Sequence, residues 1–183
     1  MKILRIGEND FDFIVNLKIF PAFKRDFFQF KKLEMSLSKY TSEVKLINHN
    51  QQVVFNYLSN FENLSAYLNS GLIEKITEKV PQIKITDFKS DKDSCKFNIT
   101  GLGIAEIRIV NREPFKTIKV ESSGGLPLSF TFWIQLLPVD QYQTKMRLTL
   151  HAEMTMMIKM MAGNKLEEGI NQLAETLSKL PYH

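Results

Sequence analysis

The clearest periodicity in the chain falls between residues 146 and 154, where Met146, Leu148, Leu150, Ala152 and Met154 alternate with Arg147, Thr149, His151 and Glu153. A strict period of two marks a strand with one buried and one wet face. The same period extends back almost to Pro81 and predicts strands over 83–88, 95–99, 104–112, 117–122 and 129–137. Within them Ala105, Ile107 and Ile109 alternate with Glu106 and Arg108, and Phe130, Phe132, Ile134 and Leu136 share a face. Turn chemistry separates the runs: Ser90 to Asp93, Gly101-Leu102-Gly103, Glu113-Pro114, and the loop from Ser123 to Pro127. Links this short imply an antiparallel meander.

Ahead of the meander, residues 40–47 predict one more strand, with Ser42, Val44 and Leu46 on one side and Glu43 and Lys45 on the other. Asn48 or Asn50 can then cap a helix whose Val53, Val54, Tyr57, Leu58 and Phe61 form a stripe of period 3.6. Asn60 offers a second cap, for a short helix carrying Leu64, Tyr67 and Leu68 that Gly71 ends, and residues 72–80 predict a further turn or two. At the other end Ile158, Ala162, Leu166, Ile170, Leu173, Leu177 and Leu180 predict a helix over 156–180, stopped by Pro181. A helix of that length spans about 37 Å. It alone is long enough to cover the apolar face of the sheet. The predicted class is α+β with a helix-grip arrangement: a curved antiparallel sheet of about seven strands wrapped around the C-terminal helix, with two short helices after the first strand.

Composition narrows the picture. The 183 residues carry 24 basic and 20 acidic side chains, a net charge of +4, with 44% hydrophobic residues. That is a globular composition without a single-sign run, so no nucleic-acid partner is expected. The single cysteine, Cys95, excludes an internal disulfide and predicts a small buried hydrophobe. No apolar run approaches the 18 residues of a membrane span and no signal peptide is legible, which predicts a cytoplasmic protein with no integral membrane segment.

Residues 1–34 read differently. They hold seven of the 14 phenylalanines and seven basic against five acidic residues, so they supply +2 of the net charge. Phe, Lys, Ile, Asn and Asp dominate the stretch, the composition expected if AT-rich upstream DNA is read as protein and translation starts at Met35. A real extension outside the fold is a second reading. A third is an amphipathic helix with Phe20, Phe23, Phe27 and Phe30 on one face and Lys24, Arg25, Lys31 and Lys32 elsewhere, suited to a membrane surface or to covering a pocket. The predicted division is therefore an N-terminal extension, 1–34, and a domain, 35–183.

Candidate chemistry is sparse. Gly101-Leu102-Gly103 lacks the third glycine of a dinucleotide loop, since Glu106 stands there and a strand follows, so a hairpin turn is expected and no cofactor. His151 and Glu153 share a strand face but alternate with Leu150 and Ala152, which puts them on the solvated side. His49, His151 and His183 are too scattered for a metal site. Asp87 is the one carboxylate in phase with apolar neighbours, Ile83 and Ile85, and reads as a solvated residue near a strand end. Five of the eight methionines, Met154, Met156, Met157, Met160 and Met161, gather at the junction of the last strand and the long helix. Methionine re-packs around varied apolar shapes, so the cluster suits plain core filling, an adaptable pocket or a protein contact.

Three stretches carry a resemblance: Arg112-Glu113-Pro114; Leu126-Pro127-Leu128 leading into Phe132-Trp133-Ile134-Gln135-Leu136-Leu137-Pro138; and Leu166-Glu167-Glu168-Gly169-Ile170 through Leu180-Pro181-Tyr182. Over about residues 36–183 the chain resembles the START-like (SRPBCC) superfamily, which includes the birch-pollen-allergen fold, polyketide cyclases and coenzyme Q-binding proteins, and it is most similar there to small members from Bacteroidetes-type bacteria. The matching residues are scaffold, not chemistry. The resemblance implies a cavity between the long helix and the concave sheet that receives lipids, sterols, polyketides or quinones. Taking the apolar parity of each strand as inward, its expected lining is Phe97, Ile107 and Ile109, then Val120, Phe132 and Ile134, then Leu148 and Leu150. Tyr67 from the short helices and Met157 and Met161 from the long one would close it. That set holds no acid–base pair and no nucleophile. The expected function is binding or carrying an apolar small molecule. A cyclase- or dehydratase-type enzyme is the alternative, since ring closure can rest on substrate positioning. A third option is a protein-interaction module with the methionine cluster or the sheet edge as its contact, and a weak membrane-surface or homo-oligomer contact is a further expectation.

Overall fold

The computed structural model describes residues 35–67, 85–99, 103–124 and 129–182. The segment 1–34, the Gly71 stop, the helical turns over 72–80, Gly101-Leu102 and Leu126-Pro127-Leu128 lie outside the described residues.

Eight strands form one antiparallel sheet: β1 (Met35–Thr41), β2 (Lys45–Ile47), β3 (Ile85–Ser90), β4 (Ser94–Ile99), β5 (Gly103–Glu113), β6 (Thr117–Gly124), β7 (Ser129–Pro138) and β8 (Thr144–Thr155). Their spatial order is β1-β8-β7-β6-β5-β4-β3, with β2 also paired to β8. Consecutive strands from β3 to β8 are neighbours, as the short turns require. The two short helices are α1 (Gln51–Leu58) and α2 (Phe61–Tyr67), and the long one is α3 (Met156–Ser178). The predicted caps form: Asn50 Oδ1 accepts from Gln52 N at 2.8 Å, and Asn60 Oδ1 from Glu62 N at 2.9 Å.

The first strand differs from its periodicity. The polar stretch from Ser36 to Lys39 is itself strand, paired with β8 from Met35↔Thr155 to Thr41↔Thr149. Beyond Thr41 the strand breaks, and this gives the eighth strand. Ser42 N donates to Leu148 O at 2.9 Å, and the Ser42 hydroxyl accepts from Leu148 N at 3.0 Å, so a side chain replaces a backbone carbonyl in the ladder. The kink reverses the expected faces: Ser42 is buried, whereas Val44 and Leu46 are 55% and 51% exposed and Ile47 turns in. Replacing Ser42 by Ala strands a buried N–H and should cost about 1–2 kcal/mol in urea unfolding. An unchanged midpoint would show that the ladder closes without the hydroxyl.

A second departure lies in β3. Register shifts between Thr86↔Asn98 and Lys89↔Lys96, and Asp87 sits at φ 54°. This bulge cancels the parity linking Asp87 to Ile85, leaving Asp87 exposed as expected and turning Phe88 onto the core.

The closed core lies at one end of the concave face. Ile118, Ile134 and Leu148 align across β6, β7 and β8, with Leu136 and Met146 beside them. All are at most 5% exposed. The same cluster holds Val54, Phe55, Tyr57 and Leu58 of α1, Phe61 and Leu64 of α2, and Ile170, Ala174 and Leu177 of α3, with Leu180 and Tyr182 beyond it. Helix α3 ends at Ser178 rather than 180, and the Tyr182 hydroxyl folds back to donate to Leu177 O at 2.6 Å. On the surface, Lys45 bridges Glu43 and Glu175 at 3.1 and 2.9 Å, tying α3 to β2. Lys179, and then Lys45, hold the Glu175 carboxyl down to about 2. Among the described residues no helix is long and apolar enough to cross a membrane.

Candidate functional site

Parity assigns a side chain to a face. Depth along the strand then decides whether that side chain is sealed. Two further inner-face rows run across the sheet, with Ile109, Val120 and Cys95 still part of the closed core. In one, Tyr40, Leu150, Phe132, Val120 and Ile109 align from β1 to β5. In the next, Ser38 faces Ala152, Ala152 faces Phe130, and Ser122, Ile107 and Cys95 continue to β4. Phe130 joins Ser122 through its own N–H, which donates to the Ser122 hydroxyl at 2.8 Å.

Burial splits the predicted lining. Ile109, Val120, Ile134 and Leu148 are at most 5% exposed and belong to the sealed core. Phe97, Ile107, Phe132 and Leu150 are only half-buried, as are Tyr40 and Phe130, which the parity-based lining left out. Ile107, Phe132, Leu150 and Tyr40 nevertheless pack against the core cluster. The structure thus groups six half-buried apolar or aromatic side chains on the concave face, at the end where α3 begins. Tyr67, Met157 and Met161 fall within α2 and α3, and their side chains lie outside the described part.

The polar groups there are few. The Ser38 hydroxyl is buried with no hydrogen-bond partner among the described residues. The Tyr40 hydroxyl approaches α3 at Gly163, where an added Cβ would stand 3.4 Å from it. Cys95 is fully buried, and burial pushes its thiol up to about 12, so it remains protonated. Neither row contains a charged side chain among the described residues. Tyr40 was detectable from its even-numbered parity with Ser38 and Ser42. Ser38 was hidden because a serine on an apolar phase carries no hydrophobic signal.

The remaining candidates fall elsewhere. His151 and Glu153 lie on the convex face. Glu153 is exposed and accepts from the Ser129 hydroxyl at 3.2 Å, whereas the His151 ring is half-covered by Trp133, edge to face at 4.6 Å. His49 packs near Tyr182, ring centroids 5.5 Å apart. No cluster of three metal-ligating side chains exists among the described residues. The methionine cluster divides: Met154 is buried, while Met156 and Met160 are 60% and 80% exposed.

The architecture is that of a helix-grip α+β protein, with a strongly curved antiparallel sheet, a long C-terminal helix and short helices after the opening strands. No protein-family model matches the sequence, and comparison with the curated proteins gives no match. Among solved structures the chain is similar to norcoclaurine synthase from Thalictrum flavum, with 9% identity, 98% of this chain and 96% of that chain covered, and a TM-score of 0.53. A truncated form of that synthase gives 12% identity over 80% of this chain and 94% of that chain, with a TM-score of 0.52. A protein from Thermus thermophilus gives 13% identity over 78% of this chain and 95% of that chain, with a TM-score of 0.51. At these identities the likeness is one of fold: the chain has the helix-grip fold of the START-like, birch-pollen-allergen class.

Proposed function

We propose that the chain binds or carries an apolar small molecule between the first turns of α3 and the half-buried end of the concave face. The observation that carries this reading is the burial step along one face. Ile134 and Leu148 are sealed, whereas Phe132 and Leu150, two residues further along the same strands, are half-exposed on the inner side. Apolar side chains facing inward without being covered leave surface for an apolar guest, worth about 25 cal/mol per Å² removed from water. The uncharged rows fit a lipid, quinone or polyketide-like compound. Ser38 favours one with a polar oxygen, since its buried, unpartnered hydroxyl would gain a hydrogen bond. The fold also carries an enzyme, norcoclaurine synthase, so a cyclase- or dehydratase-type activity is the second reading. It would draw on the Tyr40 hydroxyl, a proton donor on the inner row.

Filling the gap tests the proposal. Ile107→Trp adds bulk where a sealed core would lose about 1–3 kcal/mol. Expected is a protein of near-normal stability that no longer co-purifies with an apolar ligand in native mass spectrometry and binds a fluorescent quinone analogue at least tenfold more weakly. Strong destabilisation of Ile107→Trp, with no analogue binding by the parent chain, would mean that side chains already fill the space and would overturn the reading. A Tyr40→Phe variant that keeps full ligand affinity but loses turnover of a bound compound would transfer support to the enzyme.

A further inference from the structure

The convex face of a one-sided antiparallel sheet has no packing duty, yet here it carries the chain's single tryptophan in a groove. We propose that this groove, across β1, β8 and β7, is a binding site for a small oxyanion, the carboxylate or phosphate of a low-molecular-weight compound. The groove has a volume of about 270 Å³ and is lined by Lys39, Thr41, Trp133, Gln135, Arg147, Thr149 and His151. None of these is acidic. Adjacent register brings them together: Lys39 faces His151, Thr41 faces Thr149, Thr149 faces Trp133, and Arg147 faces Gln135.

Gln135 Oε1, the one side-chain amide oxygen in the groove, already accepts from Arg147 Nε at 3.3 Å and from Thr149 Oγ1 at 3.0 Å. With its oxygen so engaged, Gln135 has its amide N–H₂ to offer as a donor, and Arg147 its terminal guanidinium N–H groups. Lys39 and Arg147 are exposed and form no ion pair among the described residues. His151 Nε2 is buried at the groove's edge with no hydrogen-bond partner among the described residues. Glu121 and Glu153 line an adjoining groove that shares His151, and Glu121 is paired with Lys119 at 2.6 Å. Among the described residues the groove therefore offers two unpaired cations and an amide N–H₂ with no competing acid. That set matches an oxyanion, with Arg147 able to bind it through two parallel N–H donors. The opening is wide, so affinity should be modest and reduced by salt.

Trp133 makes the site self-reporting. In the full chain at fixed ionic strength, titration with inorganic phosphate, phenyl phosphate and benzoate should give a saturable change in Trp133 fluorescence for at least one, with sodium chloride as the control. Response to the phosphates alone assigns a phosphate ligand, and response to benzoate alone a carboxylate. Arg147→Met and Lys39→Met should each weaken binding at least tenfold while leaving the far-UV circular dichroism unchanged. Lys165→Met removes an exposed cation of α3 that does not line the groove, and should leave affinity unchanged. A response no different from chloride, or one that Arg147→Met leaves intact, overturns the proposal.

Discussion

Replacing Leu148 by Ala should lower the unfolding free energy by about 3–5 kcal/mol, the largest effect of any single truncation considered for this chain. Leu148 is fully buried at the β8 end of the row Ile118, Ile134, Leu148, and both other members of that row are themselves sealed. Two contributions add. The removed methyl and methylene groups lose their transfer free energy, and the vacated volume cannot collapse because the surrounding atoms belong to a hydrogen-bonded sheet. Helix α3 packs against β8 and β1, which limits relaxation from above. For a domain of this size such a loss corresponds to a fall of about 10 °C in Tm. Leu46→Ala is the control, because Leu46 lies on a strand paired to the same β8 but is 51% exposed. It should change stability by no more than about 0.5 kcal/mol. If the two variants lose equal stability in parallel urea titrations, the row is not the closed core described above.

Most of the sheet was legible because an antiparallel sheet wet on one side writes a period of two into the sequence; β7 and β8 do so without interruption, and β5 as far as the register shift after Ile109. The long helix was legible for the matching reason: Ile170, Ala174 and Leu177 meet the core at helical spacing. What failed were the places where backbone geometry, not side-chain character, sets the face. Ser42 substitutes its hydroxyl for a carbonyl, and the chain bends, exposing Val44 and Leu46. Asp87 adopts a left-handed φ in a bulge, and the phase slips by one, which brings in Phe88. In β1 the pattern is inverted, with Ser36 and Ser38 facing in and Leu37 62% exposed, so hydrophobicity alone places its faces the wrong way round. The candidate site was half legible. Parity identified the concave face, but Ile134 and Phe132 have the same parity and different burial. Position relative to α1 and α3 makes that difference, and no local pattern records it.

Arg112→Met should cost about 1–4 kcal/mol, although the side chain is partly exposed and does not line either proposed site. Its guanidinium donates to Ser59 O through both Nε and Nη2, at 3.1 and 2.8 Å, and Nη2 also pairs with Asp93 at 2.5 Å. Ser59 follows α1, and Asp93 belongs to the β3–β4 turn, so one side chain joins β5 to two separate elements. The same corner is held by Phe61 N on Lys92 O at 3.2 Å and Ile109 N on Asp93 O at 2.8 Å. Two contributions must be separated. The ion pair with Asp93 is half-exposed and should be worth only about 0–1 kcal/mol. The carbonyl of Ser59, a residue only 9% exposed, has its charged donors taken away, and an unsatisfied buried acceptor costs about 1–3 kcal/mol. Asp93→Asn should therefore be mild. Arg112→Lys should fall between, because an ammonium can reach one acceptor but cannot present two parallel donors to a single oxygen. The expected order of destabilisation by urea unfolding is Arg112→Met, then Arg112→Lys, then Asp93→Asn. If Asp93→Asn proves as damaging as Arg112→Met, the corner is held by charge, and the carbonyl clamp is not what fixes α1 against the sheet.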